Sequence, residues 1–392
     1  MVTDTTRTAH VPLLLLVLLA TPTALSANSA TTAIASLATD LGVTVSTATW
    51  VATAFGWGVL VGTPLTTALL QIHGPRRTLG VNTALVLFGA AVTAAAPTLA
   101  VLLAGRAVGA IGSGGLVTLA ISLAGTTRRT GVITASVGLV GAFGPLAGSA
   151  LSAVSWRLPL LLAALATLAA PALLRRLRTV PIGSAQTRDH RGAALVIGIL
   201  TAVVVMPRVP GVAIAALAIL AAALAAHIAS TPEGFVPRAV LRSRPWLVGT
   251  AAACALSTVY FAVLYTIPQL LRAEWSPNQI GLATLIGLAA GATAALLFTR
   301  WAHRLPARAV DLGLPAFAIA AATLPLAAPP PTILTCSTAL AVFASSAGMA
   351  WYTTHATTAL PLHHRHSALG LYLLAYQLGQ AVGPALASFL LA

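Results

Sequence analysis

Gly138-Leu139-Val140-Gly141-Ala142-Phe143-Gly144-Pro145-Leu146-Ala147-Gly148 is the stretch whose reading decides the fold. It lies inside an apolar run, Gly131 to Val154, long enough to cross a bilayer as a helix. The glycines at 138, 141, 144 and 148 carry no Cβ, so a neighbouring backbone can approach closely. Pro145 removes one helix hydrogen bond and forces a local bend. In hydrocarbon such a break survives only where other protein covers the freed carbonyl. The stretch therefore predicts a bent helix buried among other helices and pressed against one of them.

Working outward, the composition places the rest of the chain in the membrane as well. Of 392 residues, 58% are hydrophobic and only 7% charged, with a mean hydropathy of +0.94. A soluble domain carries roughly 25% charged residues. The fold class is therefore an all-α integral membrane protein. All 21 basic residues are arginines, scattered singly and in pairs between apolar runs. That pattern fits topology signals and not a nucleic-acid surface, despite the net charge of +15. With no lysine there is no phosphate-cradling P-loop. Cys254 and Cys336 both sit in apolar runs and are expected as free thiols. The apolar character that begins at Val11 continues through Ile34 to Leu37, too long for a secretory signal core, so it is read as a first span.

Spans of about 20 residues are read at 12–37, 46–70, 78–97, 99–123, 131–154, 157–174, 192–207 and 211–229. They continue at 246–270, 277–299, 309–328, 332–355 and 367–391, thirteen in all. With the N-terminus in the cytoplasm, 17 of the 21 arginines fall on the inner side, from Arg7 through Arg76, Arg77 and the 175–191 cluster to Arg365. Arg157, Arg208 and Arg272 fall outside, and Arg106 lies within a span. The expected organisation is a six-helix bundle over 1–174 and a basic linker, 175–245, holding an extra hairpin at 192–229. A second bundle of five helices follows over 246–392. Gly379-Gln380-Ala381-Val382-Gly383-Pro384 in the last span repeats the Gly-Pro kink, and the His303-to-Arg308 loop repeats His73 to Arg77. Paired halves of this kind build many secondary transporters.

These features together resemble the major facilitator superfamily, and within it the drug:proton antiporter group with fourteen spans. Gly144-Pro145-Leu146-Ala147-Gly148-Ser149 is similar to that group's antiporter motif, with Ser149 where a second glycine is usual. Trp156-Arg157 resembles the pair that opens the sixth span, and Arg106-to-Gly112 resembles the fourth span's arginine-glycine motif, with Gly109-Ala110 for Gln-Gly. Tyr260 to Gly281 looks like the start of the second half. The resemblance implies proton-coupled export of a drug-like molecule, with Arg106 in the coupling electrostatics. It implies further an inner-loop motif of Gln71, Gly74, Arg76 and Arg77, matched by His303 and Arg304. The departures are specific. Gln71 stands where the family carries aspartate, His303 stands at the matching place in the second half, and Ser26 takes the place of a frequent first-span aspartate. A fourteen-span relative would carry one more span than this sequence, which ends at Ala392.

The residues that could carry function follow from what a bilayer tolerates. A guanidinium in mid-span costs roughly 2.5–3.5 kcal/mol on insertion scales, so Arg106 must face protein or water. None of the six acids falls in the middle of a span. That leaves His355, near the inner end of its span, and Arg106 as coupling candidates. The cavity is expected from Asn28, Thr31, Arg106, Ser113, Tyr260, Tyr265, Gln269, Trp351, Tyr352, Tyr376 and Gln377. Gly138, Gly141, Gly144, Pro145, Gly148, Gly379, Gly383 and Pro384 are the gating and packing set, where the two bundles meet. Such a cavity suits a neutral or amphipathic molecule. The His363-His364-Arg365-His366 run reads as a positive anchor, and no metal or cofactor is expected. No paired carboxylates or nucleophile–base set occurs at depth, so no enzyme is expected. The protein is expected as a monomer in the cell membrane that handles a small molecule and protons. A family member that binds without transporting is the alternative.

Overall fold

The computed structural model describes residues 11–124, 127–177, 189–206, 209–327, 330–358, 360–361 and 364–390. Asp4, Arg7, Arg178, Arg188, Arg208 and His363 lie outside these, as do the side chains of Gln71, His303 and His366. The described chain is helical throughout. Its first half runs α1 (Leu13–Asp40), α2 (Val45–Leu70), α3 (Ile72–Ala95), α4 (Leu99–Ser122), a two-piece α5 (Thr127–Ala142 and Gly144–Ser152) and α6 (Arg157–Leu174). Then come α7 (His190–Val205) and α8 (Pro210–Ser230). The second half holds α9 (Arg244–Leu271), α10 (Pro277–Trp301), α11 (Ala307–Ala327), α12 (Pro331–Thr358) and α13 (Arg365–Leu390). Ten of these are long and apolar enough to cross a membrane. They alternate in direction, so the start of α1, the α2–α3 and α4–α5 turns and the start of α13 share one face, called here the N-terminal face.

Local chemistry sets the breaks. In the continuous helical run Trp50–Ala95 that α2 and α3 share, the non-helical residue is Gly74, in the first turn of α3, at φ +72°, a left-handed conformation that a Cβ would strain. α9 and α10 begin on Ser243 and Ser276, whose hydroxyls accept from Trp246 and Gln279 amides, with a proline in the first turn. α5 breaks at Phe143 and restarts at Gly144 with Pro145 behind it. Pro145 cannot donate to the carbonyl of Gly141, and the Asn28 side-chain amide takes that carbonyl at 2.9 Å. The covered carbonyl expected from the sequence is therefore supplied by α1.

Within the first half, Leu16, Leu19, Leu79, Leu116, Leu119 and Ile133 join α1, α3, α4 and α5 in one core. Within the second, Trp246, Leu256, Leu314, Tyr352 and Tyr372 join α9, α11, α12 and α13. A third core crosses between the halves: Ile34, Leu37, Val51 and Trp156 meet Phe261, Leu264, Tyr265, Leu288 and Val342. The crossing residues lie toward the face opposite the N-terminal one, so the halves are joined there. α7 packs on both α2 and α13, with the Trp57 indole donating to the Thr201 hydroxyl at 2.9 Å. At the base of the hairpin, Asp189 accepts from the amides of Gly192 and Phe235, both at 2.8 Å, and contacts the His227 ring at 2.7 Å. Burial works against its charge, but the amide donors and the His227 ring outweigh it and hold the carboxyl below the usual aspartate range.

Candidate transport site and its two seams

The two Gly-Pro helices are used in the same way in each half. Gly141, Gly144 and Gly148 of α5 lie on α1, where a Cβ at Gly144 would stand 2.6 Å from the Asn28 Cβ and 2.9 Å from the Leu25 carbonyl. Gly379 and Gly383 of α13 lie on α9, where a Cβ at Gly383 would stand 2.6 Å from the Phe261 Cβ. Each kinked helix thus presses its glycine face on the first helix of its own half. Contact with the other half is made by a glycine of the facing helix. Gly281 of α10 sits over Pro145 and Ser149, and Gly56 of α2 sits over Gln380 and Ala381. Gly138 has open space at its Cβ position and takes no part in these contacts.

The first seam, between α1 and α9, carries a ladder of hydrogen bonds. The Tyr265 hydroxyl donates to the Ala27 carbonyl at 2.7 Å, Gln269 Nε2 to Thr31 at 3.0 Å, and Arg272 Nη2 to Thr32 at 2.9 Å. Residues 265, 269 and 272 fall on one helical stripe, so a single face of α9 reads the α1 backbone. Burial pushes the Arg272 guanidinium below its ordinary range. Arg272 was missed as a site residue because, at the helix end, it counted only as a topology charge. The 265/269/272 spacing was the available signal. The second seam, between α2 and α13, includes a polar contact from the Thr63 hydroxyl to Gln377 Oε1 at 3.2 Å.

Between the seams the expected cavity residues divide into groups. Asn28, Tyr260, Tyr265 and Tyr376 come together: Tyr260 interacts with the Asn28 side chain and with both other tyrosines. Tyr376 also meets the Ser345 hydroxyl at 3.0 Å. Thr31 is fully buried, with its hydroxyl on the Asn28 carbonyl. Ser113 is fully buried inside the first half, its carbonyl accepting from Thr23 of α1. Trp351, Tyr352 and His355 stand apart near the N-terminal face, grouped around Asp311. The Trp351 indole donates to Asp311 Oδ1 at 2.9 Å, and His355 stacks on Trp351 at 4.0 Å between centroids. Arg76, Arg77 and Arg304 are exposed on that same face.

Arg106 is 3% exposed and makes its hydrogen bonds within the first half. Its Nη1 donates to the Ser26 hydroxyl at 3.0 Å and the Leu160 carbonyl at 2.7 Å, and its Nη2 to the Ser26 carbonyl at 3.3 Å. The guanidinium also lies 4.2 Å over the Phe55 ring. Near the opposite face, the Trp156-Arg157 pair clamps the end of α1. The Trp156 indole donates to Asp40 at 2.8 Å, and Arg157 lies 3.5 Å from the same oxygen. These residues serve as a strut rather than a lining of the site.

A family model described as Major Facilitator Superfamily matches residues 16–384. The chain belongs to that superfamily, a class of secondary membrane transporters. No curated protein matches the sequence. Among solved structures, a POT family transporter in complex with a thioalcohol-conjugated peptide aligns over 96% of this chain and 90% of its own. The TM-score is 0.65 and the identity 14%. An auto-inhibited POT family peptide transporter aligns over 97% and 88%, at TM-score 0.65 and 17% identity. A bacterial homologue of the human lysosomal transporter Spinster, inward-facing and unoccupied, aligns over 95% and 80%, at TM-score 0.59 and 16% identity. At these identities the likeness carries the fold alone. The expected all-α, multi-pass architecture is therefore established at the level of the superfamily, and the antiporter-group resemblance is taken up below.

Proposed function

We propose that the protein exports a hydrophobic or amphipathic small molecule from the cell by alternating access in exchange for protons. The observation that carries this reading is the Asn28–Tyr260–Tyr265–Tyr376 group, in which Asn28 and Tyr265 are buried and Tyr260 and Tyr376 half-buried, with no acidic side chain in it among the described residues. Aromatic faces and a few hydroxyl and amide groups favour a neutral or weakly polar ligand of drug size. The moving bodies are the bundles 1–174 and 246–392, with the hairpin 192–229 in the linker 175–245. The protein acts as a monomer in the cell membrane with its N-terminus cytoplasmic, and it is a transporter and not an enzyme.

The α1–α9 ladder supports a reversible seal. Its acceptors are backbone carbonyls that keep their helical bonds when the seam opens, so opening leaves few buried polar groups unpaired. Proton coupling rests on His355 and on the charge of Arg106, because no carboxylate stands at mid-span among the described residues. Inverted vesicles loaded with the full-length protein should accumulate a neutral lipophilic dye such as Nile red when given an inward-acid gradient. A protonophore should abolish the accumulation, and Tyr260→Leu should reduce it about tenfold, the loss of one aromatic contact and its hydrogen bond. Accumulation that ignores the protonophore would refute proton antiport, and a dye that never accumulates would refute export of this substrate class.

A further inference from the structure

The arginines of the two faces are treated differently. On the face opposite the N-terminal one, both described arginines are held by the protein. Arg157 lies 3.5 Å from Asp40 and donates to the Ala96 carbonyl at 3.2 Å, and Arg272 donates to the Thr32 carbonyl at 2.9 Å. On the N-terminal face, Arg238, Arg242 and Arg244 crowd together at the entrance to α9, and all three are exposed. Among the described residues none of these three guanidiniums has an ion pair or a hydrogen bond. The nearest acid in the sequence, Glu233, lies instead 3.7 Å from His364.

Residues Arg238–Leu241 form one helical turn, closed by the Arg242 amide donating to the Arg238 carbonyl at 3.2 Å. Arg238 and Arg242 therefore share one face, with Cβ atoms about 5–6 Å apart. The opposite face buries Val240 completely, in the core that also holds Trp246. The Trp246 indole donates to the Ala368 carbonyl of α13 at 3.0 Å, so the turn is fixed on the second half with its charged face outward. Leu241, Leu247 and Val248, interleaved with the arginines, are exposed by 36%, 44% and 58%. Leu247 and Val248 lie in the first turn of a membrane-spanning helix, where an exposed apolar side chain meets lipid. The arginines beside them stand at headgroup depth. Guanidinium forks take phosphate oxygens two at a time. With no carboxylate among them, they offer nothing to the cation of a zwitterionic headgroup, and the apolar residues favour an acyl chain over a soluble polyanion.

We infer that Arg238, Arg242 and Arg244, with Leu241, Leu247 and Val248, bind the phosphate and upper acyl chain of an anionic phospholipid in the leaflet on the N-terminal face. This goes beyond the transport reading and does not depend on it, because one continuous stretch, 238–248, builds the whole patch. The lipid would hold the start of α9, the helix whose other end carries the first seam.

The test uses the full-length protein in neutral detergent, titrated with phosphatidylglycerol or phosphatidylcholine, with bound lipid counted by native mass spectrometry. At about fivefold per arginine, phosphatidylglycerol should bind its first site roughly a hundredfold tighter than phosphatidylcholine. The combined variant Arg238→Gln, Arg242→Gln and Arg244→Gln should remove that preference. Arg300→Gln with Arg308→Gln, which takes charge from the same face outside the patch, should leave it unchanged. If the combined variant fails to insert, because it strips positive charge from one side of the chain, Arg242→Gln alone decides, with a loss of about fivefold. Equal affinities for the two lipids would overturn the inference. So would a preference that survives the combined variant, is undiminished in Arg242→Gln, or falls as far in the Arg300 and Arg308 control. Displacement of the lipid by an equal concentration of glycerol 3-phosphate would mark a soluble phosphate as the ligand and would also overturn it.

Discussion

The two Gly-Pro helices, α5 and α13, carry the same sequence device and resolve it differently. In α5, Pro145 frees the Gly141 carbonyl, and the Asn28 amide from α1 of the same half caps it at 2.9 Å. In α13, Pro384 frees the Gln380 carbonyl, and what approaches it is Gly56 of the opposite half, where a Cβ would come within 2.6 Å. One kink is locked inside a bundle by a strong donor. The other faces the seam with only a glycine Cα against it, a much weaker partner. The same contrast extends to the seams. α1 and α9 are joined by three hydrogen bonds, whereas α2 and α13 meet by close backbone contact and are bridged by α7 through Trp57 and Thr201. The first seam is therefore specified by polar geometry, and the second leans on the close approach at Gly56 beside the Thr63–Gln377 contact.

Three substitutions test this asymmetry. Gly144→Leu should have the largest effect, because even its Cβ meets α1 backbone and the Asn28 Cβ. A loss of roughly 3 kcal/mol is expected from overpacking, read as a lower melting midpoint together with lost transport. A glycine face placed only where the two bundles meet would let this change stop export without unfolding. The contact with α1 inside one half instead predicts that stability falls with it. Unchanged melting would break the claim that the glycine face serves packing within the bundle.

Asn28→Leu should come second. It strips the donor from the Gly141 carbonyl in a setting without water, costing about 1–3 kcal/mol, again visible as a lower midpoint. A neutral result would mean that the kink in α5 needs no cap and that the two kinks are alike. Gly56→Ala should have the smallest effect on stability, about 1 kcal/mol at the low end for overpacking, because its clash with the Gln380 and Ala381 backbone can be relieved by the two halves parting. Its signature should be conformational: one spin label on α2 and one on α13 should show a longer separation. A shift in melting without a change in that separation would make the second seam an internal packing contact.

Much of this was legible beforehand, and for clear reasons. The spans could be read because lipid demands about 20 apolar residues in each, and α1 to α13 fall within a few residues of the hydropathy reading. The Pro145 break was legible because proline removes a specific hydrogen bond whatever its surroundings. Pairing was not legible. Nothing local in Asn28 says that its amide reaches Gly141, 113 positions away. Arg272 counted as a loop charge until α9 was seen to lay it on Thr32. Nothing local in Trp57 says that its indole meets Thr201 of α7, 144 positions away. The cavity residues were chosen by polarity, which marks a side chain that needs a partner without saying which. Ser113 found its partners inside one half, Tyr260 and Tyr376 theirs near the seam, and Trp351 its partner at the N-terminal face.

By itself the sequence determined that this chain is a membrane protein of many helices with two echoing halves and kinks at Pro145 and Pro384. Hydrophobic length, proline chemistry and missing Cβ atoms act locally and need no fold to take effect. Only the tertiary structure decided which group meets each freed carbonyl, how the seams are bonded, and that Arg106 faces Ser26 where a carboxylate would have neutralised it. Those outcomes depend on the register of one helix against another. That register is set by packing summed over whole helix faces, and no short stretch of sequence contains it.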